Sequence, residues 1–97
     1  MVTKGLLATV QAKEGKEKDV EDFLKSAVDL AKKEDKTVDW FAFKIDSNTF
    51  GIFDTFNQDD GREAHLNGEI ASHLMANADT LLKTQPSIKK IDILGSK

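Results

Sequence analysis

Residues 38–56 read VDWFAFKIDSNTFGIFDTF, two apolar runs joined by a short polar link. Val38–Asp46 and Thr49–Phe56 alternate with the period of two that is typical of β-strands, and Ser47-Asn48 between them suits a hairpin. Large aromatic side chains fall on both faces of these strands, whereas a sheet with one face in water shows polar residues at alternate positions. The hairpin therefore predicts a sheet that is covered on both faces.

Each strand of this hairpin sorts its side chains onto two faces. In the first strand one face carries Phe41, Phe43 and Ile45, and the other carries Val38, Trp40 and Ala42. A chain of 97 residues can cover one face of such a sheet with its own helices. We expect a second copy of the chain to cover the other face, so the sequence predicts a homodimer.

The flanking sequence supplies two more strands and two helical regions. Leu6–Ala12 and Ile88–Leu94 are short apolar runs that we interpret as strands. Lys16–Glu34 carries an apolar stripe at helical spacing, and Arg62–Lys83 reads as a second helical region that is interrupted near Asn67-Gly68. The order βαββαβ predicts a single ferredoxin-like α+β domain with an antiparallel sheet, spanning residues 1–97.

Composition excludes several classes of function. The chain has 14 Lys and Arg against 17 Asp and Glu, and its only Arg is Arg62, so we expect no nucleic-acid partner. It has no Cys, which excludes disulfides and thiolate metal sites. The longest apolar run, Trp40–Phe43, is far too short to cross a membrane, and the first residues do not resemble a secretion signal. We therefore expect a small cytoplasmic protein without a membrane partner.

Two histidines, both in the second helical region, are the candidates for chemistry. His65 and His73 would lie on neighbouring faces of a continuous helix, which is poor geometry for a shared metal ion, so we expect no metal site. His73 and Asn77 lie at the margin of the apolar stripe. They either line a cavity between helix and sheet or are partly buried with their polar tips at the surface or on a backbone carbonyl. His65 is either a solvent-facing helical residue or a functional one.

The segments Phe50–Phe56 and Gly61–Leu66 resemble the core of the antibiotic biosynthesis monooxygenase (ABM) domain family. The shared pattern is a third strand that ends in an aromatic residue, a short acidic turn, and a helix that opens with Ala64-His65. The string Gly61–Leu82 is similar to a bacterial subgroup commonly labelled as monooxygenases. The resemblance implies a dimeric α+β barrel, in which two ferredoxin-like subunits pack sheet against sheet.

The resemblance also implies a reaction and a catalytic residue. Members of the family include oxygenases for aromatic polyketides and quinols that need no flavin or metal, because the electron-rich substrate itself reduces oxygen. His65 matches the family's pocket histidine and would act as general base on a phenolic hydroxyl. Haem-degrading members carry an Asn in the first strand and a Trp near the end of the third. This chain has neither, so we expect no haem. The sequence also has no clustered His and carboxylate ligands and no Gly-rich dinucleotide motif after a strand, so we expect no other cofactor.

The remaining site residues follow from their residue types. Arg62 is a candidate catalytic residue that would steady negative charge on oxygen. Trp40, Phe53 and Phe56 would bind a flat aromatic substrate, although core packing also explains each of them. Together with the ABM resemblance, which implies the reaction, these residues favour a cofactor-independent monooxygenase. The alternative is a non-catalytic small-ligand-binding or stress-related dimer of the same fold.

Overall fold

The computed structural model describes residues 1–97 and contains four strands and three helices. The strands are β1 (Lys4–Gln11), β2 (Thr37–Lys44), β3 (Thr49–Phe56) and β4 (Ser87–Asp92). The helices are α1 (Glu17–Ala31), α2 (Asp59–Leu66) and α3 (Glu69–Leu81). No helix is long and apolar enough to cross a membrane.

The four strands form one antiparallel sheet in the order β2-β3-β1-β4. After β1 the chain passes through α1 and β2 before it forms β3, which pairs with β1. After α3 the chain returns as β4, which pairs with the other side of β1. This arrangement is the ferredoxin-like α+β fold that the element order predicts, so the prediction of fold class is confirmed.

The core lies between the helices and one face of the sheet. Val20, Leu24, Ala27 and Ala31 form the buried stripe of α1, as the helical spacing predicts. Burial of a Val or Leu side chain stabilises a fold by about 1.5–3 kcal/mol, which offsets the entropy lost on ordering the helix. From β3, Phe50 and Phe56 are at most 1% exposed and fill the space beneath the helices.

Two element boundaries differ from the sequence prediction in a way that bears on function. α1 ends at Ala31 rather than Glu34, because the last turn tightens into bonds from Lys33 N–H to the Leu30 carbonyl and from Glu34 N–H to the Ala31 carbonyl. The first strand of the hairpin begins at Thr37 rather than Val38. Glu34 therefore lies in the short connection between α1 and β2.

A β-bulge at the start of β2 changes the predicted sorting of side chains. The register shifts between Thr37 and Asp39, which leaves Val38 unpaired and 50% exposed. The backbone N–H of Asp39 donates instead to the Thr55 hydroxyl oxygen at 3.1 Å, and that hydroxyl donates to the Asp39 carboxylate at 2.8 Å. The bulge therefore takes Val38 out of the alternation that holds for Trp40 and Ala42.

The second helical region is interrupted where the sequence predicts. α2 ends at Leu66 and α3 begins at Glu69, and the N–H groups of Asn67 and Gly68 bond back to the carbonyls of Glu63 and His65. The Asn67 side-chain amide also donates to the Glu63 carbonyl at 2.9 Å. This break separates the helix that carries His65 from the helix that contributes Ile70, Leu74 and Ala78 to the core.

The face of the sheet away from the helices carries an apolar patch that the chain does not cover. Phe53 lies opposite Leu7 on β1 and Phe41 on β2, so these three side chains share this outer face. Phe41 is 57% exposed. The ring of Phe43 lies over Gly51, where a Cβ atom would be 2.4 Å from the ring. The chain thus leaves an aromatic surface in contact with solvent.

Candidate functional site

His65 is buried between two carboxylates, one on each ring nitrogen. Its Nδ1 atom lies 2.7 Å from Oε1 of Glu34, and its Nε2 atom lies 2.8 Å from Oδ2 of Asp54. The side chain of His65 is 8% exposed, so it is not the solvent-facing residue that one of the two sequence interpretations describes. We call Glu34, His65 and Asp54 the carboxylate–imidazole cluster.

Three different elements bring this cluster together. Glu34 lies in the α1–β2 connection, Asp54 on the helix-facing side of β3, and His65 in the last turn of α2. Gly61 permits the close approach, because a Cβ atom there would lie 3.1 Å from Cβ of Lys36 and 3.2 Å from its carbonyl oxygen. A glycine at this point therefore lets α2 rest directly on the connection that carries Glu34.

Further contacts hold Glu34 and His65 in place. The Thr37 hydroxyl donates to Oε1 of Glu34 at 2.7 Å, the same oxygen that contacts His65. At Gly68 a Cβ atom would lie 3.4 Å from the other oxygen of Glu34. The ring of Phe56 packs against the ring of His65 with 5.6 Å between the centroids. The imidazole is thus held by packing as well as by charge.

The surroundings of His65 favour its protonated form. Burial by itself lowers the pKa of the imidazole, but contact with the carboxylate of Asp54, and then with that of Glu34, outweighs the burial. The pKa of His65 is therefore raised above its ordinary value of 6.5. With both ring nitrogens protonated, the imidazolium supplies one N–H to each carboxylate.

Two buried polar groups at the cluster are short of hydrogen-bond partners. Asp54 is 1% exposed, and apart from its charged contact with Nε2 of His65 at 2.8 Å no protein donor reaches its carboxylate oxygens. Trp40, which lies opposite Asp54 in the sheet, has a buried Nε1–H without an acceptor. Such groups are uncommon in folded proteins and frequently mark functional positions.

Two clefts meet at Glu34. The first has a volume of about 410 Å³ and is lined by the α1–β2 connection and by Gly61, Ala64, His65 and Gly68. Apart from Leu30, Ala64 and two glycines, its lining residues are of charged or polar types. The second has a volume of about 310 Å³ and includes Trp40 and Val38. Since both include Glu34 and Thr37, a ligand in either cleft can reach the Glu34 carboxylate.

A third space lies on the other side of His65. It is a void of about 30 Å³ between the sheet and α2 and α3, lined by His65, Asp54 and apolar side chains that include Leu6, Ile70 and Leu74. The 410 Å³ cleft is lined by Glu34 and not by Asp54, whereas the void is lined by Asp54 and not by Glu34. His65 is the residue that borders both.

The predicted site residues Arg62 and Phe53 lie away from the clefts. The Arg62 guanidinium donates to the Ile91 carbonyl at 3.1 Å and to the Asp59 carboxylate at 3.0 Å, so it ties α2 to the edge of the sheet. Phe53 lies on the outer face, on the opposite side of the sheet from His65. The structure therefore does not bring these two residues to the cleft at Glu34.

Trp40 and Phe56, by contrast, lie beside the cluster. Trp40 lines the 310 Å³ cleft together with Glu34 and packs against both clusters of core residues. Phe56 is fully buried and contacts the His65 ring. Of the predicted aromatic residues, Trp40 is the one whose side chain borders a cleft.

His73 and Asn77 lie on the exposed side of α3. The Asn77 amide donates to the His73 carbonyl at 2.8 Å, which is the local arrangement that one of the two sequence interpretations describes. Neither residue lines the clefts that contain Glu34, and Asn77 borders only a void of about 10 Å³ against the core. The structure does not bring them together with His65.

Sequence reasoning missed Glu34 and Asp54. Asp54 does carry a signal, because it is the one charged residue on the inward face of β3, between Ile52 and Phe56. A carboxylate at such a position needs a buried partner. Glu34 carries no comparable signal, since it lies among charged residues in Lys32–Lys36. No group of three His, Cys, Asp or Glu side chains has the arrangement of a metal site.

No family model and no curated protein matches the sequence, whereas solved structures do. A protein of unknown function from Nitrosomonas europaea is 48% identical with a TM-score of 0.98, over 100% of this chain and 94% of that chain. A protein from Pseudomonas aeruginosa is 22% identical with a TM-score of 0.83, over 98% and 97% of the two chains. A structure named antibiotic biosynthesis monooxygenase is 13% identical with a TM-score of 0.81, over 95% and 99%.

The second and third of these similarities show a shared ferredoxin-like fold and no more, because the identities are low. The resemblance to the ABM domain is therefore supported at the level of the fold. The similarity to the Nitrosomonas europaea protein extends over the whole chain at nearly one identical residue in two. This chain belongs to the same protein family as that Nitrosomonas europaea protein of unknown function.

Proposed function

We propose that the protein is a cofactor-independent monooxygenase that oxidises a small phenolic or quinol-type aromatic substrate with dioxygen. The observation that carries the proposal is the carboxylate–imidazole cluster, whose Glu34 end opens onto two clefts. Perturbed, buried acid–base groups beside a cleft are typical of catalytic sites. The reaction class comes from the ABM resemblance and from the name of a fold neighbour.

Within the carboxylate–imidazole cluster, Glu34 is the group that contacts the substrate. Both nitrogens of His65 already contact carboxylates, so a phenolic hydroxyl cannot reach either one without displacing Glu34 or Asp54. The side chain of Glu34 is 21% exposed and lines both clefts. In the proposed mechanism Glu34 accepts the phenolic proton, and His65 holds its carboxylate in place and stabilises its charge.

The aromatic ring of the substrate rests on Trp40. The indole lines the same cleft as Glu34, together with Val28 and Val38. A flat ring stacked there places its hydroxyl toward the carboxylate, and the apolar contact excludes water from the reacting ring. An activated CH₂ group between aromatic rings then reacts as R₂CH₂ + O₂ → R₂C=O + H₂O, so that one oxygen atom enters the product and the other leaves as water.

One observation favours the non-catalytic alternative as a second candidate. The 410 Å³ cleft has only two apolar lining residues, Leu30 and Ala64, and its other lining residues include the charged Lys33 and Glu69. Pockets for aromatic ligands are usually lined by apolar side chains. A small polar ligand that binds without reaction would suit these walls better than an aromatic ring would.

The test is oxygen uptake by the purified protein with a panel of anthrones and hydroquinones, without added metal or flavin. Turnover with at least one substrate, at a rate above that of the substrate alone, supports the monooxygenase. Binding of polar small molecules by calorimetry, with no oxygen uptake for any member of the panel, would favour the non-catalytic alternative instead.

We also propose that the protein acts as a homodimer that packs outer face against outer face. The support is the apolar surface formed by Phe41, Phe53 and Leu7, which the chain itself leaves uncovered. Exposed apolar patches of this kind commonly mark protein interfaces. A second copy presents the same surface, so that a two-fold arrangement would bury both patches at once.

A further inference from the structure

The two carboxylates that contact His65 differ in how well they can do without its proton. Asp54 is 1% exposed and lies on β3, and apart from Nε2 of His65 no protein donor reaches its carboxylate oxygens. Glu34 lies in the connection between α1 and β2, and its side chain is 21% exposed. It also accepts a hydrogen bond from the Thr37 hydroxyl at 2.7 Å. Glu34 therefore has other partners, the solvent included, whereas Asp54 has none.

A neutral imidazole can donate to only one of these carboxylates. It carries a single N–H group, and its other ring nitrogen presents a lone pair. Because a buried carboxylate without a donor is costly, the remaining proton stays on Nε2, which faces Asp54. Nδ1 then presents its lone pair to Oε1 of Glu34 at 2.7 Å, where two acceptors repel each other. Loss of one proton therefore breaks the contact of His65 with Glu34 and keeps its contact with Asp54.

The two carboxylates decide the protonation of His65, and the other charged groups nearby have little influence. Burial lowers the pKa of His65, but Asp54 and then Glu34 raise it by more, so that it lies above 6.5. Lys36 is exposed and pairs with Asp60 of α2 at 2.9 Å. The remaining charged residues that line the 410 Å³ cleft are exposed, namely Lys33 and Asp35 in the connection and Glu69 on α3. Solvent screens such charges.

Glu34 and Thr37 are the two residues that the 410 Å³ and 310 Å³ clefts share. The first cleft continues from Glu34 to Gly68, and the second continues to Trp40. On the Gly68 side the fit is close, since a Cβ atom there would lie 3.4 Å from Oε2 of Glu34. The Glu34 side chain thus stands where the two clefts meet.

We propose that the contact between Glu34 and His65 is a latch that opens when the cluster releases one proton to solvent. In the open state the Glu34 side chain leaves His65, and the two clefts join into one groove whose wall includes Nδ1 of His65. The latch itself does not depend on the proposed function. Its effect on the reaction does rest on that function, because a released Glu34 is no longer held in position to accept the phenolic proton.

Crystal structures of the wild-type protein at two pH values test the latch directly. NMR of protein labelled with ¹⁵N-histidine first gives the pH at which Nδ1 of His65 loses its proton, with the exposed His73 as an internal reference. Below that pH we expect Glu34 within about 3.2 Å of Nδ1, the upper limit of an N–H···O hydrogen bond. Above it we expect a separation of more than about 4 Å, beyond the range of an ion pair.

The fluorescence of Trp40 tests the same change in solution. Trp40 is the only tryptophan and lines the 310 Å³ cleft at Glu34, so opening of the latch should increase its quenching by acrylamide. Glu34→Gln should keep the latch closed, because an amide can accept from a charged imidazole or donate to a neutral one. Glu69→Gln makes the same change at an exposed residue of the 410 Å³ cleft and should open as the wild-type protein does.

Two results would overturn the proposal. One is a Glu34 carboxylate that stays within hydrogen-bond distance of a neutral His65. The other is a His65 that keeps its proton up to the pH at which the protein unfolds. If Glu34→Gln does not fold, the two wild-type structures decide between the open and closed states on their own. Neither measurement needs a substrate, so a lack of oxygen uptake would count against the proposed function alone.

Discussion

The Nδ1 atom of His65 lies 2.7 Å from Oε1 of Glu34, although 31 positions separate the two residues. This contact joins α2 to the connection between α1 and β2, and the Thr37 hydroxyl donates to the same oxygen. The imidazole of His65 therefore helps to hold the connection in position. Stability and the shape of the 410 Å³ cleft should both respond when His65 loses its proton.

The first prediction concerns the dependence of stability on pH. The pKa of His65 is raised in the folded protein, so the folded state binds its proton more tightly than the unfolded state does. The stabilisation of the fold that comes from the His65 proton is fully present below the ordinary pKa of 6.5. It is lost as the pH rises through the raised pKa of the folded protein. We expect the urea midpoint to fall as the pH rises above 6.5 and through the raised pKa of His65.

A pair of histidine variants tests whether His65 causes this fall. His65→Gln should remove most of the pH dependence in that range, whereas His73→Gln at an exposed position should keep it. A urea midpoint that does not change from neutral to alkaline pH in the wild-type protein would contradict the prediction.

The second prediction concerns removal of the imidazole. His65→Ala leaves the carboxylates of Asp54 and Glu34 in the same region without a cation between them. Removal of one partner from a buried charge cluster typically destabilises a protein by about 3–5 kcal/mol. Chemical denaturation at one fixed protein concentration measures the loss, and His73→Ala should change the free energy of unfolding by no more than about 0.5 kcal/mol.

The third prediction concerns the catalytic role of Glu34. If the protein turns over a phenolic substrate, Glu34→Gln should lower the rate by about two to four orders of magnitude, the usual contribution of a positioned acid–base group. Glu14→Gln makes the same change at an exposed position and should keep the wild-type rate. Steady-state oxygen uptake measures both variants. A fully active Glu34→Gln protein would remove this residue from the mechanism.

The sequence predicts the elements of this fold because hydrophobic periodicity is a local property. The strand Thr49–Phe56 has the predicted limits, and the break at Asn67-Gly68 is where two poor helix formers adjoin. The end of α1 was less predictable. Lys32–Lys36 is charged throughout, and nothing in this segment indicates the tightened last turn of α1 or the contact between Glu34 and His65.

The site was predicted only in part, because the two carboxylates that contact His65 come from distant positions in the sequence. The Ala64-His65 pattern led to the histidine in the cluster, but a pattern in α2 contains no information about which side chains α2 meets. The assignment of Arg62 illustrates the same limit. It is next to Gly61 in sequence, yet it points to the sheet edge and bonds to backbone carbonyls there.

The fourth prediction concerns the outer face at Gly51. A Cβ atom at this position would lie 2.4 Å from the ring of Phe43 and 2.9 Å from the carbonyl oxygen of Ala8. Gly51→Ala must therefore displace the Phe43 ring, and overpacking of this kind destabilises by about 1–3 kcal/mol. Thermal denaturation should show a lower Tm. Gly95→Ala is the matched control, since no atom lies within 4 Å of its Cβ position.

The last prediction concerns assembly through the outer face. Phe41 is 57% exposed and shares this face with Phe53, so a lysine at position 41 would place a charge at the centre of the proposed dimer interface. We expect the wild-type protein to sediment as a dimer at micromolar concentration and Phe41→Lys to sediment as a monomer of 10.7 kDa. Met75→Lys, at a residue that is 51% exposed on α3, introduces the same charge away from the sheet and should leave the dimer intact. If the wild-type protein sediments as a monomer, the outer face is not a dimer interface, and its exposed aromatic residues require another explanation.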